Sequence, residues 1–578
     1  MSVESADDLT IGRDLEWAHN APEQLAKHTK NTGGKVRTRF PPEPNGFLHL
    51  GHAKSMAFNF GIAKKRGGEC VLRFDDTNPT EEKQLYIDKV IEACHWLGHE
   101  PARITYSSDY FEQLYQLAVE LIRRGCAYVC HQTGDQMEEF RQKKEESPWR
   151  HRTVAENLTM FASMRKGKFA EGHCTLRMKG DVKHPMPCMW DLVAYRIKYA
   201  PHPHVGNGWC IYPSYDFTHC IIDSLEDIDF SICTLEFETR RESYFWLLHV
   251  LDLYKPKVWE FSRLNLEYNV MSKRKLKLLV EEGHVRDWDD PRLLTLMGLR
   301  RRGFTAEIIN EFCARVGVSR NDNIIKQELF DHCARDILNQ SCARRMVVCD
   351  PVRVTLTNYP LGQVETVHAP LYPQRAAEQK GGGGCGARAL SRAMPFSRTL
   401  YIDREDFRTE DEKGYFRLAP GKTVRLMYAY LITCTGFTIS ADPSATGGGG
   451  GRVTEIQATV DLSSKNNNDK KVKGNLHWVA EPQPNCTPLC VEVRLYDRLF
   501  DVANTNELGD DWRSHVNRNS LQVRQAFAEP ECAEDLAGRD GRYQFERVGF
   551  FCTDLDSTKE HSVFNLTVGL RDSKGKDQ

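Results

Sequence analysis

Between Lys35 and Phe74 the chain reads as strand, loop, helix and strand, and this succession constrains the fold more than any other stretch. "KVRTRF" (35–40) alternates with period two, as a strand does, and Pro41 and Pro42 stop it. Leu50, Ala53, Ala57, Phe60 and Ala63 then recur at helical spacing, which predicts a helix beginning near His52. "CVLRF" (70–74) is the second strand and runs into Asp75 and Asp76. Two strands joined by a helix pair in parallel, and a parallel sheet takes its ligands at the carboxyl ends of its strands. The loop after the first strand and the aspartates after the second both fall on that edge.

The chain has 578 residues, which at ~150 residues per domain means several domains. Lys and Arg number 78 against 80 Asp and Glu, so no basic excess announces nucleic acid, although a local basic groove is invisible in a net charge. The opening "MSVESADDLTIGRDLEWAHN" has neither the basic-then-apolar pattern of a signal peptide nor the acid-poor, Arg-rich look of a transit peptide. No apolar run approaches membrane-spanning length, and a cytoplasmic enzyme is expected. The 19 cysteines contain no C-x-x-C. Cys126/Cys130, followed by His131, and Cys486/Cys490 have a looser spacing; reduced, mostly buried thiols are expected, with no structural zinc.

Further along, residues 108–204 mix helix and strand around the charged run "EEFRQKKEESPWRHR" and read as an insertion, after which "WCIYPSYDFTHCIID" (209–223) returns to buried, aromatic-rich sequence. From 261 to 345 the pattern is mainly helical, with apolar faces in "LLTLMGLRRRGF" and "AEIINEFCARVGV". Beyond Met346 short alternating runs such as "MVVCDPVRVTL", "TVRLMYAYLI" and "VEVRLYDRLF" are separated by turn residues, the pattern of a β-barrel or sandwich. "KGGGGCG" (380–386) and "TGGGGG" (446–451) join no strand to a helix and are read as flexible surface insertions rather than phosphate loops.

Gly46 and Gly51 let main chain approach a ligand in the loop after the first strand, and the helix N-terminus that follows favours phosphate. His49 and His52, three apart, can aim two ring N–H donors at one small region and stabilise charge developing on the α-phosphate of a nucleotide. Taken alone, the pair could equally be metal ligands or two ordinary surface histidines.

The neighbouring residues decide between these. "PEPNGFLHLGH" (42–52) resembles the His-x-Gly-His signature of class I aminoacyl-tRNA synthetases, and "VMSKRK" (270–275) is similar to the mobile lysine loop of that class. "RFDDTNP", "YPSYDFTHC", "CTLEF", "FSRLNLEYNVMSKRKL", "DWDDPR" and "KVKGNLHW" extend the resemblance, to the glutaminyl-tRNA synthetase family, over residues 35–572. Asn45, Thr218-His219-Cys220 and Met271 differ from what eukaryote-type glutamate enzymes carry and point to glutamine.

The resemblance implies an α/β fold: a Rossmann-like class I catalytic domain (35–107 and 205–260), an inserted acceptor-end-binding domain (108–204), a helical subdomain with the lysine loop (261–345) and two anticodon-binding β-barrels (346–572), behind a polar leader (1–34) and before a short tail (573–578). It further implies ligation of glutamine to tRNA(Gln) through a glutaminyl-adenylate, with ATP and its Mg2+ and with His49, His52 and Lys273 acting on the phosphates. Glu43, Pro44, Asn45, His49, Leu50, Gly51, His52, Ala53, Lys54, Ser55, Thr234, Arg263, Leu264, Met271, Ser272 and Lys273 would line ATP. Asp75 would hold the α-ammonium of glutamine, Tyr215 would bond its side-chain amide, and Tyr212 and Phe217 would be core aromatics. Arg344, Arg417 and Arg547 are candidate tRNA contacts, although Phe416 and Met427 stand where bacterial relatives carry basic residues. The expected protein is a monomer whose partners are tRNA, glutamine and ATP, with no membrane. A glutamyl-tRNA synthetase charging one or both tRNAs, or a tRNA-binding relative without catalysis, are the alternatives.

Overall fold

The computed structural model describes residues 15, 17–373, 391–440, 451–465, 472–483, 485–532 and 541–570. The Gly-rich stretch 380–386, and 446–451 except Gly451, lie outside them. The chain divides into two compact units, Met1–Asn265 with Ile309–Ile325, and Leu266–Ile308 with Lys326–Gln578.

In the first unit, helix α1 (Pro22–Thr32) precedes strand β1 (Arg37–Phe40), helix α2 (Leu50–Lys65), strand β2 (Glu69–Phe74), helix α3 (Gln84–Trp96) and strand β3 (Arg103–Tyr106). Helix α4 (Phe111–Arg123), strand β4 (Ala127–Cys130), helices α5 (Gly134–Lys143) and α6 (Val154–Arg165), and strands β5 (Thr175–Met178), β6 (Val193–Ile197) and β7 (Ile211–Pro213) follow. Helix α7 (Tyr215–Leu225), strand β8 (Phe230–Thr234), helix α8 (Arg241–Val250) and strand β9 (Lys257–Phe261) complete it. Five strands form one sheet in the order β3-β2-β1-β8-β9, and every pairing in it is parallel. The order reverses beside β1, which is where an open parallel sheet forms its ligand crevice.

The inserted segment builds its own antiparallel sheet, β4-β5-β6-β7. It reaches further than the sequence boundary at 204, because Ile211–Pro213 pairs with β6 rather than with the parallel sheet. Phe58 and Ile62 of α2 pack on Phe230, Ile232, Trp259 and Phe261. Leu50, Met56 and Ile62 are wholly buried; each such side chain contributes about 1.5–3 kcal/mol by leaving water. Tyr212 and Phe217 are core residues, as expected.

The second unit carries helices Lys273–Glu281, Leu296–Arg301 and Gln327–Ser341 and two seven-stranded sheets. Phe545, Phe551 and Phe564 lie in the core of one sheet, and Phe396, Ile432 and Trp478 in that of the other. The change to β-structure comes just before Met346, since Ala343–Arg345 already pairs with Arg542–Phe545.

Candidate active site at the carboxyl edge of the parallel sheet

The helix expected from His52 begins at Leu50, with His49 as its N-cap. The Gly51 N–H donates to His49 Nδ1 (3.1 Å) and the His49 N–H donates to His52 Nδ1 (3.1 Å), so the rings cap the helix reciprocally. A ring nitrogen that accepts carries no proton, which places the hydrogen of each neutral imidazole on Nε2, facing away from the helix. The ring centroids are 4.0 Å apart. Burial, with the neighbouring His52 and Arg263, holds His49 well below the usual histidine range, so it is a neutral donor.

Glu43, Pro44 and Asn45 form the loop ahead of this cap; the Asn45 side chain donates to Glu43 Oε2 (2.6 Å) and the Asp75 N–H donates to Pro42 O (3.1 Å), tying the ends of β1 and β2 together. Thr234 ends β8, and Arg263 and Leu264 follow β9. Arg263 is ion-paired to Glu236. Leu50, Ala53 and Leu264 have their side chains in the core, which leaves main chain for any contact with a nucleotide. Lys54 is buried beneath the helix start, donates to Ser262 O (3.2 Å) and is lowered by burial, while Gly51 and Ser55 are part-exposed. Met271, Ser272 and Lys273 belong to the second unit, where Ser272 precedes the first residue, Lys273, of a helix.

Asp75 is buried at the end of β2 and accepts from the Ser107 hydroxyl (3.2 Å). Burial first, then the nearby Glu43, pushes its carboxyl up to about 6, against the opposing pull of Arg73. Asp76 and Glu82 are raised further by burial, to about 8 and about 9. Carboxyls buried together in this way are costly to ionise, and a cation brought beside them would lower that cost. Tyr215, the first residue of α7, stacks on His219 (4.8 Å between centroids), and burial raises its hydroxyl well above the usual range, so it stays protonated.

Beside Asp75 and Tyr215 lies a charge network that the sequence reading missed. Arg39 of β1 donates through Nε to Asp223 Oδ1 (3.0 Å) and through Nη2 to His219 Nε2 (2.7 Å) and Ser231 Oγ (2.9 Å). Arg73 of β2 donates to Asp223 Oδ1 (2.5 Å) and Glu226 Oε2 (2.9 Å). Both arginines are essentially inaccessible. Burial opposes the charge on Asp223, but Arg39 and Arg73 overcome it and hold the carboxyl far below its usual range. His219, lowered to about 3 by burial, is neutral. The available signal was an arginine inside each strand of a buried parallel sheet, where apolar residues are the rule and a charge calls for a carboxylate partner.

In the second unit, Arg547 forks onto Asp406 (2.5 and 2.9 Å) and Arg417 Nε lies 3.2 Å from the same carboxylate, whereas Arg344 donates to Gln544 (3.2 Å). The sequence-selected Arg417 and Arg547 thus converge on one buried aspartate, and Arg344 sits elsewhere on a strand. Cys130 is buried and bonded to Gln132 and Ser147 (3.3 Å each).

Comparison with known proteins covers most of the chain. The catalytic-domain model of the class I tRNA synthetases (E and Q) matches residues 35–340, and the anticodon-binding-domain models of that family match 342–449 and 475–554. A probable glutamine–tRNA ligase of Dictyostelium discoideum is 52% identical over 562 residues, covering 97% of this chain and 68% of that one. The cytoplasmic glutamine–tRNA ligase of Arabidopsis thaliana is 51% identical, over 96% of this chain and 68% of that one. A glutamine–tRNA ligase of Citrobacter koseri is 48% identical over 95% of both chains. With a parallel sheet reversing beside a histidine-capped helix, and with these matches, the chain belongs to the class I tRNA synthetases of the E and Q family.

Proposed function

We propose that this protein is a glutamine–tRNA ligase, joining glutamine to tRNA(Gln) at the expense of ATP through a glutaminyl-adenylate. The observation that carries this reading is the edge of the parallel sheet, where two Nε2–H donors on a helix N-terminus share the strand ends with the buried Asp75 carboxylate. The relatives named above, all glutamine–tRNA ligases, support the choice of amino acid.

No protein nucleophile is needed. The glutamine carboxylate attacks the α-phosphate, pyrophosphate leaves, and the terminal ribose hydroxyl of the tRNA then takes the acyl group. His49 and His52 donate through Nε2 to the α-phosphate oxygens as charge builds there, while the loop 43–45, Gly51, Ser55, Thr234 and Arg263 hold the nucleotide. Lys273 neutralises the leaving phosphates, a role carried by its motif. Asp75 takes the ammonium of glutamine, and the protonated Tyr215 hydroxyl donates to the side-chain carbonyl; the neutral His219 leaves that wall without the imidazolium that would attract a carboxylate. Magnesium enters on the phosphates of ATP; among the described residues no group of three or more His, Cys, Asp and Glu side chains is arranged to hold an ion. Arg344, Arg417 and Arg547 contact the tRNA. The protein works as a monomer in the cytoplasm; among the described residues no helix is long and apolar enough to cross a membrane.

The test is a charging assay with glutamine and glutamate, each against tRNA(Gln) and tRNA(Glu). Acylation of tRNA(Gln) by glutamine alone is expected. Equal use of glutamate would favour the glutamate enzyme, and no charging at all would favour a binding protein.

A further inference from the structure

The loop that carries Asp75 is fastened by two segments distant in sequence. Ser107, which donates to Asp75, and Ser108, whose N–H and hydroxyl donate to Asp76 (2.9 and 2.6 Å), lie where the chain enters the inserted segment. The loop also meets His202, which lies in the turn that follows β6. That turn is closed by reciprocal main-chain bonds between His202 and Gly206 (2.9 Å each), with Gly206 at φ +61°. The His202 ring is buried, stacked on Tyr212 and edge-on to Phe111. Its Nδ1 accepts from the N–H groups of His204 (3.1 Å) and Val205 (3.3 Å), which fixes the proton on Nε2. Nε2 donates to the carbonyl oxygen of Asp76 (2.8 Å) and lies 3.6 Å from both Asp76 Oδ2 and Glu82 Oε2. Every polar atom of the ring is thus used, and all of its bonds run either within its own turn or to the Asp75–Asp76 loop.

We infer that His202 is a positioning residue for the amino-acid site: by donating from Nε2 to the Asp76 carbonyl it sets the orientation of the Asp75 carboxylate. The inserted segment thereby takes part in glutamine binding without touching glutamine. The inference rests on the proposed role of Asp75. Loss of the bond frees the Asp76–Thr77 peptide, one beyond the residue that bears the carboxylate, so Asp75 samples orientations that miss the ammonium and affinity falls by the fraction of time lost. The ATP-contacting residues follow β1, β8 and β9 and are left in place.

Two amides of similar polarity test this. The side-chain nitrogen of glutamine reaches the position of imidazole Nε2, whereas that of asparagine reaches only the position of Nδ1. In tRNA-dependent ATP–pyrophosphate exchange, His202→Asn should raise the KM for glutamine about tenfold, the scale of one hydrogen bond, while His202→Gln stays within about threefold and the KM for ATP within about twofold in both. His202→Phe, which keeps the ring and loses the donor, should follow His202→Asn. Equal glutamine KM values for the Asn and Gln variants, or an ATP KM that rises in step with that for glutamine, would overturn the inference. Should neither variant accumulate as folded protein, Ser108→Ala, which loosens the same loop, must raise the glutamine KM selectively, and an unchanged value overturns the inference as well. Wild-type exchange with glutamine is the control whose absence would instead overturn the assigned function.

Discussion

Asp75 must be ionised to hold an ammonium, and its surroundings make ionisation expensive. Burial and Glu43 lift its carboxyl from 3.8 to about 6, so on acidification the empty pocket takes up a proton well above the ordinary carboxylate range. Bound ammonium favours the ionised form, and glutamine therefore competes with that proton. The apparent KM for glutamine should be flat above about pH 7 and rise toward tenfold per unit below about pH 6, with the KM for ATP less affected; Asp75→Asn should lose affinity at all pH values and lose the slope with it. Steady-state kinetics between pH 5 and 8 decide the matter. At this scale the motifs picked out His49 and His52, which cap one helix, and Asp75, which lies buried at the end of β2. Arg39 and Asp223 escaped because their pairing, across 184 residues of sequence, has no local signature. The burial of Lys54 and Leu264 was likewise unreadable, because a motif says which residues recur and not which atoms face outward.

Helix α2 begins two residues earlier than its apolar spacing suggests because a histidine caps it. Ser, Thr, Asp and Asn are the usual N-caps, and a rule built on them passes over an imidazole that does the same work through Nδ1. The βαβ unit itself was legible, since its period changes from two to 3.6 and back within one short stretch. The strand Ile211–Pro213 was not, because an aromatic, apolar run fits an antiparallel insert as well as a buried parallel layer. The return from α2 into β2 depends on Gly68, where an added Cβ would stand 2.0 Å from Val36 O, the acceptor of the Glu69 N–H (2.8 Å) that opens the β1–β2 register. Gly68→Ala should cost about 1–3 kcal/mol by overpacking. A urea midpoint equal to that of the wild type would show that the turn relaxes freely.

The parallel sheet takes strands from both sides of its insert, and Ile309–Ile325 returns to the first unit after Leu266–Ile308 has entered the second, a break that the continuous helical pattern of 261–345 does not show. The mutual dependence of sheet and insert is another matter. Ser108 and His202 of the insert, with Ser107 just after β3, hold the loop that carries Asp75, so RNA bound by the insert would bias the proposed amino-acid site. ATP–pyrophosphate exchange with glutamine should accordingly be strong with cognate tRNA whose terminal ribose cannot be acylated, and weak with noncognate tRNA or none. Equally fast exchange without RNA would mean that the pocket is complete in the free enzyme. The Arg39–Arg73–Asp223 network carries a consequence of a different kind, for birth on the ribosome. β1 and β2 emerge early, yet the carboxylates that neutralise their two interior arginines lie at Asp223 and Glu226, after the whole insert. Until those residues are synthesised, closing the first βαβ unit would bury two bare guanidinium charges, which water holds far more cheaply. The nascent amino-terminal half should accordingly stay open and solvated until then, and the parallel sheet should be completed in one late event instead of strand by strand.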